Sequence, residues 1–332
     1  MPFLAKPSTV QQLIVPAGQL FIDVIVAGKY SGERYLGKTD SFTVSVAGEQ
    51  LQEFTMESGI KELADSTLIG VTRTAKMTVK QVSRENLALF LAAAYGVQIQ
   101  SAGTVTDEAL TVLPDRHYQL GRSDSNPSGV REVSAVSVSA GEAAVVWTAT
   151  ATKALGAYVR KATGATVFHV ATTAGTTGAS EPAWPTAPGA TVTDGTVVWT
   201  TVGILAPTPD TDYTVDAALG RLYVLPTARV HATLGTPWTV DYTRAARERE
   251  QIKTAGAVDA TAALRLISNN VRGEQRDWYM PKCALTPGGE FPLKTENPAY
   301  VALPFDISIL KPDAGAAGED IAAIYLDGRA VA

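Results

Sequence analysis

Apolar and polar residues alternate along most of this chain, the pattern of strands with one buried face. Residues 20–26 read as a strand closed by the turn AGKYSGE. Residues 42–47 form the second, setting Phe42, Val44 and Val46 against Ser41, Thr43 and Ser45. Residues 48–66 are polar and irregular, with Gly59 in their middle, and read as a long connection of the kind that is functional or disordered. Strand character returns over 67–79, where Ile69, Val71, Met77 and Val79 oppose Thr72, Thr74, Lys76 and Thr78. Phe42, Val44, Val46, Ile69 and Val71 are expected to pack inward.

One segment carries a helical period instead. In SRENLALFLAAAYG, Ser83 suits an N-cap and Glu85 places a negative charge in the first turn. Leu87, Phe90, Leu91 and Ala94 repeat as one stripe, expected to cover a side of the sheet, and Gly96 is the expected terminator. Further strands follow in ALTVLPDRHYQLG and VREVSAVSVSAG. Residues 213–224 read as a hairpin turning at 218–220, and strands are expected at 239–243, 262–267, 278–285 and 300–310. Over the last of these, Val301, Leu303, Phe305, Ile307 and Ile309 point one way while Asp306 and Ser308 point the other.

Between 146 and 203 the texture changes to glycine, threonine, alanine and proline, with short strands at 167–171 and 196–202. This reads as an inserted β-rich module, which divides the remainder into a discontinuous domain of residues 1–145 and 204–332. The fold class is all-β with one flanking α-helix, a sandwich or half-barrel carrying an insert.

Composition narrows the function classes. A net charge of −5 with 18% charged residues argues against a dedicated nucleic-acid binder, which needs a basic surface. No stretch approaches the roughly 18 uninterrupted apolar residues of a membrane span, and the first 18 residues lack a signal-peptide apolar run. The single cysteine, Cys283, rules out an internal disulfide framework and reads as a small buried hydrophobe.

Catalytic signals are weak. His117, His169 and His231 are scattered without a histidine or cysteine at ligand spacing, and the Asp115–His117 neighbourhood reads as turn chemistry. Nucleophile elbow, phosphate loop and zinc-protease helix motifs are missing, so an enzyme of unrecognised type is the weakest reading. Arg244, Arg247 and Arg249 alternate with Glu248 and Glu250, a mixed-sign run typical of a solvated or interfacial surface. Trp184 and Trp199 of the insert have two readings: platforms that stack on sugars, or the core that so small a module needs.

Four stretches resemble the major tail tube proteins of long-tailed bacteriophages. They are AGQLFIDVIVAGKYSGERYLGKTDSFTVSV; ESGIKELADSTLIGVTRTAKMTVKQVSRENLALFL; DTDYTVDAALGRLYVLP followed by WTVDYTRAARERE; and RGEQRDWYMPKCALTPGGEFPL. Each is a weak signal alone, and together they cover most of residues 17–95 and 210–295 in order. Simpler tube proteins lack a counterpart of the insert.

The resemblance implies a structural virion protein rather than an enzyme, needing no cofactor or metal. It implies hexameric rings, stacked into a hollow tail tube in the bacterial host cytoplasm, with the sheets closing into one large barrel. The implied partners are further copies of the chain, the tape measure and tail-end proteins, and DNA in weak, non-specific transit; no membrane is implied. Ser41, Thr43, Ser45, Thr72, Thr74, Lys76 and Thr78 would then face the lumen. Small hydroxyls offer no cationic anchor for phosphate, and six copies at −5 give about −30 per ring, which repels DNA. The 48–66 connection would reach an adjacent ring through Glu49, Gln52, Glu53, Glu57, Lys61, Glu62 and Asp65, with Arg244, Arg247 and Arg249 as candidate partners. Removing residues 50–64 would leave a folded subunit unable to form long tubes. The insert would sit outside the bore. The competing reading is an all-β carbohydrate-binding virion or surface protein acting through the insert.

Overall fold

The computed structural model describes residues 14–26, 28–254, 260–296, 299–312 and 321–328. Residues 1–13, which hold most of the stretch read for a signal peptide, lie outside them. The described residues are mostly strand, with one short helix and no closed barrel. No helix among them is long and apolar enough to cross a membrane. The chain divides into two compact units, residues 1–96 with 250–332, and residues 97–249.

The first unit is built on an antiparallel sheet. From one edge to the other its strands run Lys29–Tyr30, Gly18–Val26, Ala260–Ser268, Arg276–Pro287, Leu303–Ile309, Glu62–Val79 and Thr39–Thr55. Short strands Arg34–Tyr35 and Tyr325–Gly328 pair with Gly18–Val26 and Arg276–Pro287. Alternation works as the sequence implies: Leu20 and Ile22, Met77 and Val79, and Leu303, Phe305, Ile307 and Ile309 share one buried core. Cys283 lies in that core with no exposed surface, and burial pushes its thiol up to about 12. A thiol reagent at neutral pH is therefore expected to leave the native protein unmodified and to label it only after denaturation. Rapid labelling of native protein would mean that the Arg276–Pro287 strand opens.

The helix is shorter than its stripe suggests. It spans Arg84–Phe90, and the Ser83 hydroxyl accepts the Asn86 N–H at 3.2 Å as the cap. Asn86 is buried, and its amide nitrogen donates to the carbonyls of Leu36 (2.8 Å) and Gln81 (2.9 Å) while its oxygen accepts Arg34 Nη1 (2.8 Å). These bonds seat the helix on the sheet, where Phe90 meets Phe305 edge-on with centroids 5.7 Å apart. Leu91 caps the helix and Ala92 adopts a left-handed φ of 47°, so the chain enters strand Ala94–Gln100 and Gly96 is a strand residue rather than the terminator. The chain leaves the first unit along this strand and returns along Arg247–Lys253, with which it pairs.

Within the second unit, Gly103–Val112, Thr236–Arg244 and Val133–Ala140 form one antiparallel sheet. Tyr213–Asp216, Arg221–Val224 and Arg116–Gln119 form another. The 146–203 segment makes a sheet of its own around Val167–Thr173 and Val197–Ile204. It is not sealed off from its surroundings. Phe168 and Val202 belong to the same core as Trp238, Tyr242 and Leu222, while Val159, Ala171, Val197 and Trp199 form a second, smaller core. That shared core explains why compactness divides the chain at 96/97 and 249/250, outside the insert's own limits.

Candidate functional site

The segment expected to be a loop is an extension of the sheet. Thr39–Thr55 and Glu62–Val79 run as one long hairpin, paired from Thr39 opposite Val79 to Thr55 opposite Glu62. Near its base the ladder sets Ser41 opposite Thr78, Thr43 opposite Lys76, Ser45 opposite Thr74 and Ala47 opposite Thr72. The seven residues assigned to a channel-facing surface thus share one face of two adjacent strands.

Register adds members that the sequence alone does not supply. Strand Leu303–Ile309 sets Asp306 beside Lys76 and Ser308 beside Thr74, and Thr286 lies opposite Asp306 on the next strand. Lys76 Nζ is 3.4 Å from Asp306 Oδ1, so the one cation of the row has a carboxylate beside it. The Thr286 hydroxyl donates to the Asp306 carbonyl at 3.1 Å. Alternation says only that Asp306 and Ser308 point away from the core. Their place beside Lys76 depends on pairing across more than 200 residues of sequence.

Further along, the hairpin leaves the core and becomes an arm with two different faces. The hydroxyl face turns acidic through Glu49, Glu53, Asp65 and Glu62, with Glu53 directly opposite Asp65. Like charges in that relation destabilise a ladder unless a cation meets them. The other face continues the core stripe into solvent through Val46, Val71, Leu68, Phe54 and Leu63, all exposed. Gln52 alternates onto this apolar face, while Glu57 and Lys61 lie at the tip, where Lys61 Nζ sits 4.3 Å above the Phe54 ring.

Two of the five residues expected to pack inward do so. Phe42 and Val44 touch the core, whereas Val46, Ile69 and Val71 are 61%, 57% and 41% exposed. The arm carries them past the reach of the core. Bulges at Ile69 and Ala64 also reset the alternation, which puts Leu68 and Leu63 on the apolar face.

The arginines of the 244–249 run are already engaged in part. Arg247 pairs with Glu132, and Arg249 Nη2 donates to Asn126 Oδ1 (3.1 Å), Ser128 Oγ (3.2 Å) and the Gly129 carbonyl (2.7 Å). Arg244 Nε is buried without a hydrogen-bond partner. The insert's tryptophans are packed inward. Trp199 is fully buried and donates to Asp194 Oδ2 at 3.1 Å. Trp184 stacks on His169 with centroids 4.4 Å apart, meets Trp199 edge-on, and donates to Glu181 Oε1 at 2.8 Å.

The histidines do not converge. His117 stacks on Tyr223, whose hydroxyl donates to Asp115 Oδ1 at 2.6 Å. Burial lowers His169 to about 4, so its imidazole is neutral at pH 7. His231 Nδ1 accepts the N–H groups of Thr233 and Leu234. Among the described residues no three of His, Cys, Asp or Glu cluster as metal ligands. A cavity of about 880 Å³ in the first unit is lined by Phe42, Leu266 and Trp278. Its charged groups are paired, Glu274 with Arg276 and Asp40 with Lys80, each at 2.6 Å.

A family described as a protein of unknown function, UCP028589, has a model that matches residues 13–134, a stretch that contains the arm and the helix. No curated protein matches the chain.

Proposed function

We propose that this chain is the structural subunit of a phage tail tube, assembling through its sheet edges and its arm into stacked hexameric rings around a bore that passes DNA. The observation that carries the reading is the hairpin of residues 39–79: its base presents rows of hydroxyls, and its outer half exposes an apolar and an acidic face that nothing among the described residues covers. An isolated subunit with such a hairpin at its sheet edge has both an open strand and an uncovered apolar stripe, the two features that drive chains to associate.

Ring formation removes both. A neighbour's strand laid along Thr39–Thr55 satisfies its outward backbone groups, and repetition around the ring closes a barrel without an edge. The base of the hairpin then faces the bore with Ser41, Thr43, Ser45, Thr72, Thr74 and Thr78, joined by Asp306, Ser308 and Thr286. Lys76 stands beside Asp306, so the wall presents hydroxyls and a balanced charge instead of a phosphate anchor. The arm's acidic face suits the basic rim of an adjacent ring, with Arg244 as a candidate from the 244–249 run, since Arg247 is paired with Glu132 and Arg249 is held by the 126–129 loop. A carbohydrate-binding role gains no support from Trp199, which is fully buried, and little from Trp184, which is half-buried with its ring stacked on His169.

Negative-stain electron microscopy of the purified protein is expected to show rings or tubes of uniform width. Dispersed monomers across protein concentrations and ionic strengths would overturn the proposal.

A further inference from the structure

The second unit contains two arginines, Arg131 and Arg221, that the tube reading does not use, with Arg249 close to them. Arg131 and Arg221 line a shallow groove of about 430 Å³ together with Gln119, Pro127, Ser128 and Leu219. Arg249 holds the same loop through Asn126, Ser128 and Gly129. None of the three arginines has a carboxylate within ion-pair distance among the described residues. Asp216, opposite Arg221 on the ladder, turns its carboxylate to the Leu219 N–H at 3.0 Å instead.

The groove is held in place by the backbone. Arg131 Nη1 donates to the carbonyls of Ser128 (2.9 Å), Val130 (2.9 Å) and Leu219 (3.1 Å). Gln119 Nε2 donates to Val130 (2.9 Å), Leu219 (3.1 Å) and Gly220 (2.9 Å), so two side chains share two of the same carbonyls. The turns need glycine at two points. Gly129 has a φ of +67°, and a Cβ there would lie 2.4 Å from Gln119 Cγ; Gly220 has a φ of +62°, and a Cβ there would lie 2.4 Å from the Val130 carbonyl oxygen. Carbonyls fix one edge of Arg131 without neutralising it. Burial, together with the Arg249 and Arg221 charges, holds Arg131 below the usual arginine range, the direction expected where cations face one another without an anion.

We infer that this groove binds a phosphate-type dianion, held by Arg131 and Arg221 in the added field of Arg249. A single carboxylate neutralises one of the three charges. A phosphomonoester neutralises close to two and offers three oxygens to planar guanidinium donors. Pro127 and Leu219 supply an apolar wall for an organic group attached to the phosphate. The inference is independent of the tube reading, since it concerns the groove of a single chain.

The test is titration of the full chain with inorganic phosphate at low ionic strength, followed by calorimetry and phosphorus NMR. One saturable site is expected, weakened about tenfold or more by Arg221→Gln. Arg221 makes none of the loop-holding bonds, so circular dichroism of this variant should match the parent. Arg221→Lys, which keeps the charge but loses the fork, should fall between the two. Competition by glycerol phosphate is expected and would assign the source to small phosphomonoesters, whereas competition by a short oligonucleotide without a terminal phosphate, whose diesters carry one charge each, would overturn the dianion assignment. Absence of saturable phosphate binding, equal binding by Arg221→Gln, or equal displacement by succinate would overturn the inference.

Discussion

Replacing residues 51–67 with an Asn-Gly turn is expected to leave a monomer of unchanged thermal stability that no longer forms long tubes. The replacement boundary follows from the ladder. Gln50 and Leu68 are Cα partners, so a two-residue turn of the type that joins antiparallel strands can close the hairpin there. The excised residues belong to no core cluster; the core receives Phe42, Val44, Ala75, Met77 and Val79 from these strands and nothing from the arm. Stability measured by denaturation should therefore stay close to that of the parent. Assembly loses the acidic face from Glu53 to Glu62 and Asp65, and it loses Phe54 and Leu63 from the apolar face. Burying an aromatic or leucine side chain contributes about 1.5–3 kcal/mol, and in a ring that loss recurs at every subunit. The double variant Phe54→Asp with Leu63→Asp should behave alike, because it places charge where the apolar face is to be covered. Tubes of normal length from either protein, judged by electron microscopy and sedimentation, would remove the arm from the assembly mechanism.

That arm also shows where sequence reasoning fails. Strands that bury one face declare themselves: the 303–309 alternation corresponds to four buried residues, and Leu20 and Ile22 do the same for 18–26. Residues 48–66 bury neither face, so selection for a core leaves no period in them, and the bulges at Ile69 and Ala64 break what remains. The segment then reads as a polar loop although its two strands pair with each other as far as Thr55 and Glu62. The helix fails in the opposite sense. Leu91, Ala92, Ala93 and Ala94 have good helix propensity, yet the chain turns at Ala92 to supply a strand, and tertiary pairing overrides the local preference. Among candidate site residues, the hydroxyl alternation of 41–45 and 72–78 was legible, whereas its continuation through Thr286, Asp306 and Ser308 depends on a register that no local pattern encodes. The change of composition over residues 146–203 falls on a segment with a sheet of its own. Its limits as a packing unit were not legible, because Phe168 and Val202 look like any strand residues until the core they join is known.

Asp194→Ala is expected to destabilise the protein by about 3–5 kcal/mol, since it leaves three N–H donors, one buried and two half-buried, without their acceptor at about 1–3 kcal/mol each. Asp194 is 3% exposed, at the end of strand Thr191–Asp194. Its Oδ2 accepts Trp147 Nε1 at 2.8 Å and Trp199 Nε1 at 3.1 Å, and its Oδ1 accepts the Gly178 N–H at 2.7 Å. One side chain thus ties two tryptophans of the insert's core to the turn that precedes the insert's proline-rich stretch. Asp194→Asn should not rescue it. An amide has a single acceptor oxygen, so orienting it toward the tryptophans points its NH₂ at the Gly178 N–H, and the reverse flip points it at two indole donors. The measurement is chemical denaturation followed by tryptophan emission, a suitable probe because Trp147, Trp184 and Trp199 are three of the five tryptophans. Loss of these bonds should move the transition to lower denaturant. A stability change below about 1 kcal/mol for Asp194→Ala would mean that solvent reaches the three donors and that the insert is held by its apolar core alone.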